Sequence, residues 1–147
     1  MSRTGSNGLT GRNAAIVMAV VAVAGAGYWL MRPAGEGLSG TGAPLAQVAV
    51  PPLDSVAMRG EVAFNENCAA CHGKNAAGRD GMGPPLVHVI YEPNHHSDGA
   101  FFFAAANGVR SHHWQFGNMP AIAGISEDEV RDIVAYVRTL QRANGIN

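Results

Sequence analysis

The sequence predicts an all-α protein, in which a small helical domain follows a single membrane-spanning helix. Residues 14–31 form an uncharged run that is just long enough to cross a bilayer as a helix. Near the other end of the chain, Ser126 and Glu129 have the spacing of a helix capping box, and apolar residues then recur with a helical period. Between these segments no stretch alternates apolar and polar residues as a half-buried strand would. The formal net charge of −1 offers no basic surface for nucleic acid, and 147 residues predict one modest domain.

The apolar run predicts a signal anchor that places the domain outside the cytoplasm. Arg3 and Arg12 precede the run and only Arg32 follows it immediately, which keeps residues 1–13 in the cytoplasm under the positive-inside rule. The alternative is a cleaved secretory signal with residues 14–23 as its apolar core. The apolar run continues well beyond that core, which favours a retained single-pass helix in the inner membrane. Both interpretations export the rest of the chain to the periplasm.

Residues 32–53 are predicted to form a flexible linker between the anchor and the domain. Pro and Gly are frequent there, charge is almost absent, and no clear helical or strand period is visible. Such a tether would hold the domain at high local concentration near partners in the same membrane. The alternative is a plain spacer without functional motion.

The domain is assigned to residues 54–147 and is predicted to be mostly helical. Helical signals cover residues 56–67, residues 98–107 and the segment from Ser126 to Asn144. Gly60 lies inside the first of these helices, where it costs about 1 kcal/mol relative to Ala, so we expect another backbone to pass close by. Arg138 and Arg142 suit the negative end of the last helix. The Gly- and Pro-rich residues 79–85 must form a loop.

The most informative motif is Cys68-Ala69-Ala70-Cys71-His72, which has the spacing of a c-type haem attachment site. On a helix the three functional side chains share one face, so two thiols can add across two haem vinyl groups while His72 ligates the iron. We therefore expect one haem c, held covalently through thioethers at Cys68 and Cys71. The alternatives are a redox dithiol, a disulfide or half of a zinc site. The absence of any further Cys and of a βαβ pattern disfavours a four-thiolate zinc site and a thioredoxin-like dithiol.

A second axial ligand to the iron is predicted at Met119. This residue lies between Gly117-Asn118 and Pro120, which hold the strip extended and outside a helix. The alternatives are the other histidines and Met82, but Met82 is only ten residues from His72 and belongs to the loop on the histidine side. A His/Met pair raises the reduction potential relative to two nitrogen ligands and leaves no open position for a substrate. This coordination predicts electron transfer rather than catalysis at the iron.

Residues 56–143 resemble a small monohaem class I cytochrome c of bacteria. Gly60 and Phe64 match the N-terminal helix of that family, and Ile133 and Tyr136 match the residues that its C-terminal helix presses against them. In the family these two helices cross closely at the Gly. The resemblance therefore implies a class I cytochrome c-like helical domain wrapped around a covalent haem.

The resemblance also implies roles for residues around the haem. Gly83-Pro84-Pro85-Leu86 resembles the loop whose Pro carbonyl accepts a hydrogen bond from the axial histidine, and Pro84 is the matching acceptor. Leu86 matches a residue that packs on the haem, and Met119 matches the sulfur ligand. The N-terminal anchor resembles that of the membrane-tethered members, which link respiratory complexes.

The predicted function is that of a one-electron carrier between membrane respiratory complexes on the periplasmic side. A quinol-oxidising complex would be the donor and a terminal oxidase or reductase the acceptor, and no enzymatic activity is expected. One alternative is a haem-based sensor or enzyme that binds a small ligand at the iron. Another is a copper-handling redox protein, since the pairs His95-His96 and His112-His113 are unexplained and imidazoles bind copper or zinc. Adjacent side chains point apart on most backbones, so neither pair is expected to chelate a metal by itself.

Overall fold

The computed structural model describes residues 21–22, residue 27 and residues 40–147. The chain divides into two units, Met1–Gly37 and Leu38–Asn147, and the second contains the predicted helical domain. None of the described helices is both long and apolar enough to cross a membrane. The predicted anchor at residues 14–31 lies outside the described residues except at three positions, so it stays a prediction.

Helices form the regular structure of the domain, as the sequence predicts. The four α-helices are α1 (Ser55–Asn67), α2 (Ala69–His72), α3 (Asp98–Asn107) and α4 (Glu127–Ala143). Two short 3₁₀ turns, Lys74–Ala76 and Val89–Tyr91, lie between α2 and α3. Residues 40–147 contain no β-strand but have two isolated bridges, the second of which joins Val109 to Met119.

Polar side chains fix where the two longest helices begin. Asp54 Oδ1 accepts a hydrogen bond from the Ala57 N–H at 2.8 Å, so α1 begins one residue before its predicted start. The predicted capping box of α4 is confirmed, because Ser126 Oγ accepts from the Glu129 N–H while the Glu129 carboxylate accepts from the Ser126 N–H. The start of each helix is therefore set by its own local sequence.

Helices α1 and α4 cross in direct backbone contact at Gly60. A Cβ atom at this position would lie 1.9 Å from the carbonyl oxygen of Asp132 and 2.9 Å from Cβ of Tyr136. One turn further along α1, the rings of Phe64 and Tyr136 pack with their centroids 5.6 Å apart, and both are fully buried. At the exposed edge of the crossing, Arg59 pairs with Asp132 at 2.8 Å. The close approach that Gly60 predicted is confirmed.

The hydrophobic core lies between this crossing and the loop that follows α2. Phe64, Tyr136, Val137 and Leu140 are fully buried there, and Leu86 packs against them from the loop. Burial of a large apolar side chain stabilises the fold by roughly 1.5–3 kcal/mol. Packing of Leu86 thus attaches the Gly- and Pro-rich loop to the helix crossing.

The described part of the predicted linker lies against the domain. The Ala46 N–H donates to the carbonyl of Ala77 at 2.9 Å. Just beyond α4, the Asn144 side chain donates to the carbonyl of Ala49 and accepts from its N–H, both at 2.9 Å. Over its described residues, the linker predicted at residues 32–53 is therefore not a flexible tether. Hydrogen bonds to backbone and side-chain amide groups of the domain hold it in place.

Replacing Gly60 with Ala should destabilise the protein, because the added Cβ atom would overlap the carbonyl of Asp132. We expect the free energy of unfolding to fall by about 3 kcal/mol, the upper end of the usual cost of overpacking. Gly99→Ala is the matched control, since its Cβ would meet nothing closer than Ser97 Oγ at 3.7 Å. Chemical denaturation followed by circular dichroism measures both variants, and equal stabilities would contradict the tight crossing.

Candidate functional site

The thiols of Cys68 and Cys71 and the imidazole of His72 lie within about one helical turn, directly after the end of α1. The Cys68 N–H donates to the carbonyl of Phe64 at 2.8 Å, and the N–H groups of Cys71 and His72 donate back to the Cys68 carbonyl at 3.1 and 2.9 Å. Both thiols are free, with Cys68 half-buried and Cys71 exposed. Burial, and then the nearby Cys71, raise the pKa of Cys68 to about 11, so this side chain is a neutral thiol near pH 7.

The ring of His72 is oriented by the Gly- and Pro-rich loop. Its Nδ1 lies 2.9 Å from the carbonyl oxygen of Pro84, which can only accept, so Nδ1 carries the proton. Burial lowers the pKa of His72, and the hydrogen bond to Pro84 opposes this effect. The imidazole is therefore neutral near pH 7 with an unprotonated Nε2, the form that binds a metal ion. The contact with Pro84 is the one that the resemblance implied.

The loop that carries Pro84 is fixed against α2. Arg79 and Gly83 exchange backbone hydrogen bonds of 2.9 and 3.0 Å across a tight turn. A Cβ atom on Gly83 would lie 2.7 Å from the carbonyl oxygen of Cys71, so the absence of a side chain permits this approach. Beyond the turn, Leu86 is buried in the core. The predicted loop is confirmed. The contact of Gly83 with Cys71 and the burial of Leu86 in the core hold the Pro84 carbonyl next to the His72 ring.

The predicted sulfur ligand lies in a strip held by backbone hydrogen bonds. Met119 and Val109 exchange two of them, each 2.9 Å long. Gly108 lies against this strip, since a Cβ atom on it would be 2.4 Å from the Met119 carbonyl oxygen. Met119 is half-buried, whereas the alternative ligand Met82 is 48% exposed in a turn. The strip lies outside a helix as the sequence predicts, and Met119 forms a bridge to Val109, whereas Gly117 has a left-handed φ of 85°. The role of Met119 as an iron ligand stays a prediction.

One buried indole N–H makes no hydrogen bond of normal geometry. Nε1 of Trp114 is buried without a well-aligned acceptor among the described residues, although its interaction with the Tyr91 hydroxyl opposes the rise in the pKa of Tyr91 that burial causes. Leaving a buried donor unsatisfied costs about 1–3 kcal/mol, so a better-placed acceptor would stabilise this group. A haem propionate would be such an acceptor. With two free thiols and a neutral His72 as well, the described residues fit a haem.

The two histidine pairs meet in space. One nitrogen from each of His95, His96 and His113 lies within 4.8 Å of the others, and the Nε2 atoms of His95 and His113 are 3.2 Å apart. His112 lies outside this group, although its ring packs on His113 with the centroids 4.3 Å apart. Desolvation, followed by repulsion from the neighbouring imidazoles, lowers the pKa of His113. The group thus contains residues from both pairs. His95 and His113 are 18 positions apart, so their spacing in the sequence does not show that they meet.

Arg138 has a role that its sequence context did not predict. It is only 6% exposed, although its place near the end of α4 suggested an interaction with the helix dipole alone. Its guanidinium donates to the Asp98 carboxylate at 2.8 Å and to the carbonyls of Tyr91 and His96 at 2.7 and 2.6 Å. Buried Gln141 donates to the same Tyr91 carbonyl at 3.0 Å. The available signal was the position of Arg138 within the apolar stripe of α4, where a charge requires buried partners.

The domain that carries these groups matches known proteins in sequence. Residues 57–141, more than half of the chain, match the family described as Cytochrome c, and the match includes both thiols, His72 and Met119. The cbb3-type cytochrome c oxidase subunit CcoP of Rhodobacter capsulatus is 30% identical over 106 residues, which are 64% of this chain and 33% of that protein. The chain thus spans about a third of the length of this curated relative.

Arg138→Gln should lower the free energy of unfolding by about 2–4 kcal/mol, because the ion pair with Asp98 and the carbonyl contacts are lost together. Arg142→Gln is the matched control on the same helix, since Arg142 is exposed and donates to Thr139 Oγ1 at the surface. Hydrogen exchange should accelerate at residues 91–98 in the first variant and not in the second. Unchanged exchange in that segment would contradict the anchoring role of Arg138.

Proposed function

The chain belongs to the cytochrome c family, and we propose that it carries single electrons through one haem c between membrane respiratory complexes on the periplasmic side. The observation that carries this proposal is a neutral His72, fixed by Pro84 at 2.9 Å, within about one turn of two free thiols. When bound, the haem supplies an iron that gains and loses one electron.

The proposed haem-binding residues have distinct tasks. Cys68 and Cys71 would hold the haem through two thioethers, so it could not dissociate between partners. His72 would bind the iron through Nε2, and the carbonyl of Pro84 fixes the ring and would strengthen its donor character. Leu86 is buried beside the helix crossing and would pack against the porphyrin.

Met119 is proposed as the second axial ligand, which favours electron carriage over catalysis. A thioether sulfur stabilises the ferrous state and raises the reduction potential relative to two nitrogen ligands. Two protein ligands, His72 and Met119, would leave no open site on the iron for oxygen or a substrate, so we assign no enzymatic activity. Two backbone hydrogen bonds hold the Met119 strip, and the Pro84 carbonyl holds the His72 ring, so both proposed ligands are fixed before a haem binds.

The proposed partners are respiratory complexes in the inner membrane. The relative CcoP is by its name a subunit of a cbb3-type oxidase, which supports a terminal oxidase as the electron acceptor. A quinol-oxidising complex is the proposed donor. From Asp54 onward the chain has seven Lys or Arg against ten Asp or Glu, so strong steering toward an acidic partner is not expected. A single-pass anchor at residues 14–31 would keep the domain near its partners instead.

Met119→Ala should lower the reduction potential by on the order of 0.1 V, a part of the roughly 0.8 V range that axial ligands span. It should also let the ferrous protein bind carbon monoxide, because the sixth position becomes free. Met82→Ala is the matched control and should change neither property. Redox potentiometry and absorbance spectroscopy measure both effects. Ready carbon monoxide binding by the wild-type protein would instead favour a haem-based sensor or enzyme.

The full chain should fractionate with membranes and keep its haem there after a high-salt wash, because the apolar run is retained as a helix. A variant in which a cleavable secretory signal replaces residues 1–37 should release the haem protein into the soluble periplasmic fraction. Immunoblotting and the reduced-minus-oxidised spectrum of each fraction measure the distribution. The result would instead identify a cleaved signal if the wild-type protein were found in the soluble fraction and its mass showed that residues 14–23 had been removed.

A further inference from the structure

None of the roles proposed for the haem involves the cluster of His95, His96 and His113. We infer that these three imidazoles form a second metal site, which binds one divalent transition-metal ion and binds Cu²⁺ most tightly. The site differs from the haem in donor set and in position along the chain, so it goes beyond the electron-carrier function.

The three side chains converge to the distance that a shared ion requires. One nitrogen of each ring lies within 4.8 Å of the other two, and the Nε2 atoms of His95 and His113 are 3.2 Å apart. Metal–nitrogen bonds of about 2.0–2.1 Å place tetrahedral ligands roughly 3.4 Å from one another. The closest pair already has this spacing in a hydrogen bond between the two rings, and a shift of its proton to Nδ1 of the donor ring frees both Nε2 atoms for the ion. His95 and His113 are exposed, so their rings have room to rotate toward a shared ion.

The third ligand, His96, is oriented by contacts behind it. Its Nδ1 lies 2.6 Å from the carbonyl oxygen of Ile90, which can only accept, so Nδ1 carries the proton and Nε2 is free to bind. Metal-binding histidines usually donate their second N–H to such a carbonyl. The backbone of His96 is held in turn by the buried guanidinium of Arg138 at 2.6 Å.

The opposite side of the cluster is also held in place. His113 belongs to the loop that the hydrogen bonds between Val109 and Met119 close at its base. Within this loop the Ser111 N–H donates to Asn118 Oδ1 at 3.0 Å. Two segments far apart in the chain are thus ordered before an ion arrives, which reduces the entropic cost of binding.

The donor set favours copper among the common ions. The cluster contains imidazole nitrogens without a thiolate or carboxylate, and such nitrogens suit Cu²⁺, Ni²⁺ and Zn²⁺, whereas Ca²⁺ and Mg²⁺ prefer oxygen. For a given set of nitrogen donors, affinity along the divalent first-row series is highest at Cu²⁺. The exposed rings of His95 and His113 give an ion access and leave room for water ligands.

Calorimetric titration of the haem-loaded full chain with copper sulfate tests this site. We expect one tightly bound copper per iron, verified by the elemental ratio after dialysis. His95→Asn and His113→Asn should each weaken binding by more than about 100-fold, beyond the cost of losing an outer-sphere partner. His112→Asn is the matched control and should keep the wild-type affinity, because His112 lies outside the cluster with its Nδ1 2.9 Å from the Arg110 carbonyl.

Far-ultraviolet circular dichroism of the oxidised, copper-free protein shows whether each variant is folded. Copper should also raise the melting temperature of the wild-type protein and not that of His113→Asn, because the ion links two separate segments. Equal copper affinities in the wild type and in both cluster variants would overturn the site, as would the absence of stoichiometric binding to the wild type. A haem-containing protein that does not bind copper would contradict the copper site and leave the electron-carrier proposal intact. A colourless protein that binds copper would contradict the haem attachment and leave the copper site intact.

Discussion

The crossing of α1 and α4 at Gly60 is the contact on which the rest of the structure depends. Because α1 runs directly into Cys68, the geometry of this crossing sets where both thiols and His72 lie. A single added methyl group at Gly60 would come within 1.9 Å of the Asp132 carbonyl oxygen. Burial of Phe64 against α4 acts on the same pair of helices, so backbone approach and side-chain packing reinforce each other.

Helix α4 also fixes the loops that complete both proposed sites. Gln141 donates to the carbonyls of Leu86 and Tyr91 at 2.8 and 3.0 Å, while Arg138 holds Tyr91 and His96. The first of these loops orients the proposed axial histidine, and the second carries two of the clustered imidazoles. Buried polar side chains with satisfied hydrogen bonds specify one arrangement of their surroundings. One helix therefore connects the proposed haem-binding residues and the histidine cluster to the same core.

Features that depend on neighbouring residues could be predicted from the sequence. The capping box at Ser126 requires only a spacing of three residues, and Gly60 in a helix interior signals contact with another backbone. Apart from Gln141, the partners of Arg138 lie 40 to 47 positions away, so its place in the apolar stripe of α4 could indicate burial but not which groups it contacts. The meeting of His95 and His113 likewise depends on two loops whose relative position is set only by the folded core.

Covalent attachment of one haem through two sulfurs is the central claim, and the intact mass of the purified protein tests it most directly. The protein would be produced in a host that attaches haem to exported cytochromes and measured under denaturing conditions. A mass that exceeds that of the polypeptide by one haem is expected. A mass equal to that of the bare polypeptide, whether the sample is coloured or colourless, would contradict it.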